Sequence, residues 1–194
     1  MREEELHKKF EHLFGVITNP KFLTMEALGG EIPFWISAYN PRQEVEVNNE
    51  IHNLVKKLRN EGIEPYLVNL FELCMNLIEQ HVGLEKMFTV EKRKSKEKFK
   101  KALQSSVNIH ERLIPAINEL INQNSPDLLL INGVGSVYPF IRSHTVLNNL
   151  QSAVKDIPTL MFFPGTYSGQ SLELFGMLKD DNYYRAFNID NYKL

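Results

Sequence analysis

The chain has 194 residues, a hydrophobic fraction of 43%, an aromatic fraction of 10% and a formal net charge of −2, and a chain of that length buries about 70% of its unfolded surface without disulfide or metal staples. No run approaches the ~20 apolar residues of a membrane-spanning helix, and the opening MREEELHKKFEHLF interleaves charge where a secretory signal would be apolar throughout, so a cytoplasmic α/β domain over residues 1–194 is expected, with no membrane contact. The lone cysteine, Cys74, excludes an internal disulfide and any zinc centre built on paired cysteines, and its apolar surroundings, LFELCMNLI, make it a buried hydrophobe.

Leu6, Phe10, Leu13, Phe14 and Ile17 recur at helical spacing, which predicts an amphipathic helix over 2–17 within a helical N-terminal segment, 1–30. Asn19-Pro20 and Gly29-Gly30 punctuate the connection that follows. IPFWISAY (32–39) reads as a buried strand stopped by Asn40-Pro41, and residues 45–60 carry Val47, Ile51, Leu54, Val55 and Leu58 on one helical face. After Glu61-Gly62, PYLVNLFEL (65–73) begins as a second strand and passes into a helix ending near His81. A helical insertion, 74–124, follows. Within it residues 85–123 read as helical throughout, kinked at Pro115.

DLLLIN (127–132) is the third strand, 136–154 a helix, TLMFFP (159–164) the fourth strand, and YYRAFNI (183–189) a short edge strand. Two strand-helix-strand units predict an α/β fold with a mainly parallel sheet covered by helices on both faces, because parallel neighbours need crossovers and continuous apolar strands need two cover layers.

Ligands of such sheets gather outside the carboxyl ends of the strands. That nominates the loops 40–44, 132–136 and 164–171, with Asn132, Gly133, Gly135, Ser136, Tyr138, Arg142, Gly165, Thr166 and Tyr167 as candidate loop or interaction residues. Gly133-Val134-Gly135 after an apolar strand has the outline of a phosphate cradle. Yet no Gly-Lys pair of a Walker A motif occurs, the third glycine of a dinucleotide fingerprint is Tyr138, and Phe163-Pro164 stands where a ribose-binding acid belongs. A helix N-terminus alone supplies about 0.3–1 kcal/mol, against the about 8 kcal/mol of micromolar affinity. The glycines therefore read first as turn formers.

Other chemistry is sparse. His7, Glu11 and His12 share a helix without a recognisable third ligand, so no metal is expected. Ser168 lies in GTYSG, which lacks the spacing of a nucleophile elbow, and Asp180-Asp181 reads as a pair of turn acids. The electrostatic outlier is EKRKSKEKFKK (91–101), where seven Lys or Arg against two Glu give +5 and leave −7 for the rest of the chain. Lys92, Arg93, Lys94, Lys96, Lys98, Lys100 and Lys101 are either the solvated face of a helix packed through Phe99, Leu103 and Val107, or a weak, non-specific contact to DNA or an acidic partner.

The stretches DLLLINGVGSVYPFIRSHTVLNNLQ and IPTLMFFPGTYSGQSLELFGMLKDDNYYRAFNI resemble the BrxB family of bacteriophage exclusion (BREX) defence systems, most specifically at Asn132, Gly133, Gly135, Ser136, Tyr138, Pro139, Arg142, Pro164, Gly165, Tyr167 and Tyr183-Tyr184-Arg185-Ala186-Phe187. The resemblance spans nearly the whole chain. It implies a component of an antiviral assembly that methylates host DNA and blocks phage replication, alongside a methyltransferase, a large ATPase and the alkaline-phosphatase-like PglZ protein. It carries no catalytic motif and no cofactor. At fold level, the strands ending in Asn132 and Pro164 resemble the centre of an ATPase core without its phosphate loop. The expected function is a non-enzymatic adaptor that binds other BREX proteins, PglZ foremost. The alternatives are a nucleotide- or anion-binding enzyme working through loops 132–136 and 164–171, with Arg142 or Arg42 as clamp, and a DNA-contacting subunit working through 92–101.

Overall fold

A computed structural model of the chain describes residues 3–26, 34–154, 156–180 and 186–192. The amphipathic N-terminus forms α1 (Glu3–Ile17), followed by one turn, α2 (Pro20–Leu23), where the Lys21 N–H donates to the Asn19 side chain. Strand β1 (Phe34–Tyr39) precedes a 3₁₀ turn, Pro41–Gln43, and α3 (Glu44–Asn60); β2 (Pro65–Asn69) runs straight into α4 (Leu70–His81). Asn69 makes that abrupt switch possible, since its side chain accepts from the N–H groups of Phe71 and Glu72.

The region expected as one kinked helix is divided. It comprises α5 (Leu84–Arg93), α6 (Lys96–Val107), a π turn at Ile109–Leu113 and α7 (Ile114–Asn124). The breaks fall at the extended Lys94 and at Asn108, whose φ is +22°. Pro115, the expected kink, sits in the first turn of α7, where a missing N–H breaks no helical bond.

Strand β3 (Leu128–Asn132) is followed by turns from 134 to 140, and α8 begins only at Ser143 (Ser143–Ala153). The expected helix start at 136 fails because Pro139 offers no N–H and disfavours helical geometry at Tyr138; the Tyr138-Pro139 bond is cis. Strand β4 (Thr159–Tyr167) outruns its expected end at Pro164 and folds back antiparallel through β5 (Leu172–Leu174) and β6 (Leu178–Asp180). The end of the expected edge strand is β7 (Phe187–Asn188), parallel to β1; its start, Tyr183 to Arg185, lies outside the described residues, as do Gly29-Gly30 and Asp181.

The sheet order is β2-β3-β4-β1-β7, all parallel, with β5 and β6 continuing from β4. The first strand-helix-strand unit therefore does not pair its own strands, since β4 and β3 stand between β1 and β2. Right-handed crossovers fix the layers: the step from β1 out to β2 and the return through β3 to β4 run in opposite directions, so their helices fall on opposite faces. On one face α1 and α3 cover Trp35, Leu128, Leu130, Leu160 and Phe162; on the other the helices from α4 to α8 cover Phe34, Ile36, Leu129, Ile131, Met161 and Phe163. No described helix is long and apolar enough to cross a membrane.

Candidate functional site

The carboxyl ends of β1 and β3 are bridged by hydrogen bonds among the protein's own side chains. Asn132, 3% exposed at the tip of β3, donates from Nδ2 to Asn48 Oδ1 on α3 at 2.9 Å; Asn48 Nδ2 donates to Glu44 Oε1 at 3.4 Å; and the Tyr39 hydroxyl at the end of β1 donates to Glu44 Oε2 at 2.6 Å. Burial, then the bond to Glu44, push the Tyr39 phenol far above its ordinary value. Asn132 Oδ1 is buried without a partner among the described groups. Glu44 closes the nominated loop 40–44, while Tyr39 and Asn48 escaped sequence reasoning; the trace of Asn48 was its i,i+4 spacing from Glu44.

The glycines of the candidate loops are faced by protein. A Cβ on Gly133, whose φ is +72°, would lie 2.5 Å from Asn69 Oδ1, the acceptor that caps α4; one on Gly135 would meet Phe175 and Pro164 at 2.9 Å; one on Gly165 would sit 2.1 Å from the Glu173 carbonyl oxygen. Each permits a close internal approach, the side where a Cβ would stand being occupied by protein. The expected loop 164–171 is strand as far as Tyr167. Only its tip turns, around Ser168, whose Oγ accepts from the N–H of Ser171. Ser136 is exposed, Thr166 donates to Glu173 at 3.3 Å, and the Tyr167 hydroxyl turns inward to the Ala186 carbonyl at 2.6 Å.

Two of the nine predicted residues, Tyr138 and Arg142, do border an open space. A cleft of ≈290 Å³ is walled by Tyr138, Arg142 and Ser143 on one side and by Met177, Leu178 and Lys179 of the hairpin on the other, over a floor of Phe163, Leu172 and Leu174. Tyr138 is 38% exposed, Leu178 39% and Met177 75%. The hairpin residues were missed because the segment LELFGMLKD has the same apolar alternation whether its side chains are buried or not.

The basic segment forms the corner between α5 and α6. Lys92, Arg93, Lys94, Lys96, Lys98 and Lys101 are exposed there, while Lys100 lies 3.6 Å from Glu97. Phe99 and Leu103 pack inward and Val107 is buried, the stripe expected for a solvated face. Elsewhere Glu11 pairs with Lys57, whose hydrogen bond and charge lower its carboxyl pKa, and His12 meets the Ile189 carbonyl at 3.1 Å. Among the described residues no group of three or more His, Cys, Asp or Glu is placed to hold a metal ion.

The sequence family described as "BREX protein BrxB" matches residues 66–189. A protein of Bacillus cereus (strain H3081.97) named "BREX protein BrxB" is 36% identical over 189 residues, 95% of this chain and 97% of that one. One of the same name from Escherichia coli O9:H4 (strain HS) is 28% identical over 189 residues, 97% of this chain and 94% of that one. No solved structure gives a significant match.

Proposed function

The chain belongs to the BrxB family of BREX phage-defence systems, and on that premise we propose that it is a non-enzymatic assembly component that docks the alkaline-phosphatase-like PglZ protein or another member of the complex. The observation that carries this reading is that the glycines of the strand edge serve internal packing. Where an α/β enzyme holds its ligand, a Cβ at Gly133, Gly135 or Gly165 would collide with Asn69, with Pro164 and Phe175, or with Glu173, and Asn132 is tied to Asn48. What the molecule offers outward instead is apolar and aromatic surface beside arginine, the composition of interfaces. The test is capture of each companion protein by the full chain at moderate salt; recovery of PglZ or another component is expected, and recovery of none overturns the role. A thermal shift with ATP, GTP or phosphate addresses ligand binding at the strand edge. A tight ligand at a hundredfold excess over its Kd would add about 2.7 kcal/mol, and no shift is expected.

The six exposed cations at the α5–α6 corner favour a second reading, weak contact with the DNA backbone. Gel retardation that weakens steeply with salt, and that reversal of Lys92, Arg93 and Lys94 to Glu abolishes, is its expected signature. Unchanged retardation disposes of it.

A further inference from the structure

Three of the six large apolar side chains that stand exposed among the described residues, Tyr138, Met177 and Leu178, border one cleft between the 138–143 segment and the β5–β6 hairpin. Apolar exposure gathered at one place marks a contact surface, where methionine adapts its shape to a partner and tyrosine gives contact area at low entropic cost. Among the described residues that line this cleft, the charged side chains, Arg142 and Lys179, are both basic. Arg142 is exposed and forms no ion pair among the described residues. It precedes the N-terminus of α8, which has no side-chain cap and no acid in its first turn, so the helix end adds positive potential. Among the described residues none of the lining side chains is acidic. Glu173 alternates away from its neighbours Leu172 and Leu174 to the other face, where Thr166 donates to it. The volume, ≈290 Å³, falls at the lower limit of ligand clefts, which run about 300–1,000 Å³, and admits a side chain or two more readily than a nucleotide.

Resting on the adaptor reading, we propose that this cleft is the surface through which the chain grips its protein partner. Its occupant is a partner segment with a bulky apolar side chain beside an Asp or Glu. The apolar side chain covers Tyr138, Met177 and Leu178, and the carboxylate meets Arg142 in the two-pronged geometry a guanidinium favours.

The experiment compares capture of the companion proteins by the full wild-type chain with capture by Arg142→Glu, Leu178→Lys and, as a charge reversal away from the cleft, Lys56→Glu, each first shown to unfold at the wild-type temperature. Arg142→Glu and Leu178→Lys are expected to lower capture about tenfold or more, as hot-spot changes do, with Lys56→Glu close to wild type. If the wild type captures a component and both cleft variants capture it equally well, the cleft assignment falls while the assembly role stands. If the wild type captures nothing, the assembly role fails and takes the cleft with it. Stabilisation by inorganic phosphate that Arg142→Glu removes would assign the cleft to a small anion and overturn protein docking.

Discussion

Gly165 lies where β4 turns from its parallel run into the hairpin, and a methyl group there would stand 2.1 Å from the Glu173 carbonyl oxygen of the paired strand. Backbone cannot give way as a flexible side chain would. Gly165→Ala is therefore expected to cost about 1–3 kcal/mol, the range of overpacked sites, and to lower Tm by about 2–4 °C per kcal/mol in thermal unfolding. Gly15 is the contrasting case: it sits inside α1 with nothing within 4 Å of the place an alanine methyl would take, so Gly15→Ala should raise stability by about 0.5–1 kcal/mol. Both are glycines to a sequence reader, and only the neighbours separate them. Cys74 shows the same dependence on surroundings. Burial pushes its thiol from 9.0 up to about 12, so the protonated form's contribution to stability is complete below 9.0 and is lost as pH rises toward about 12. At mildly alkaline pH the native thiol should resist a disulfide reagent that labels the unfolded chain at once. Equal labelling rates would contradict its burial.

At the scale of elements, the C-terminal strap shows how a short strand is held. Strand β7 has only two residues, yet Asp190 just beyond it accepts from Lys9 Nζ of α1 at 2.8 Å and from the fully buried Ser37 hydroxyl of β1 at 2.9 Å. Lys9 also donates to the Ala38 carbonyl at 2.6 Å. Asp190→Ala leaves that largely buried ammonium without its counter-charge, and an expected loss of about 1.5–3 kcal/mol, measured by urea unfolding, follows from removing a hydrogen bond to a charged group. Asp190→Asn, which keeps an acceptor and loses the charge, should fall between. The α5–α6 corner carries the opposite lesson. Its lysines were visible in the sequence, but the break at Lys94-Ser95 that sets them at a projecting corner depends on Ser95 capping α6 through the Lys98 N–H.

Across the whole molecule, the two ends of the chain close over the only tryptophan. Trp35 has ring centroids of Phe22, Phe187 and Tyr192 at 5.3, 5.1 and 5.0 Å, so residues from α2, β1 and the C-terminal strap share one aromatic cluster. Each such pair adds about 0.5–1.5 kcal/mol beyond its buried area. Truncation after Ala186 is expected to shift Trp35 emission to longer wavelength and to lower the unfolding midpoint. Unchanged emission would show that the strap does not cover it.

Strands β1 to β4, the buried face of α1 and α3, and the helix that follows β2 were legible in the sequence because periodicity is a local property carried by Leu6, Phe10, Val47, Ile51 and their neighbours. The absence of a phosphate-gripping lysine was equally plain. Strand order was not: nothing in β1 or β2 says that β3 and β4 will stand between them, since adjacency in a sheet is settled by which apolar faces pack together after distant segments meet. The same holds at the site. Tyr138 and Arg142 could be named from their loop, but Met177 and Leu178 join them only because β4 runs past Pro164 and folds back, and Gly133 and Gly135 serve internal packing because of residues far along the chain. Local spacing chose the elements, and non-local contact decided which residues face one another and which face outward.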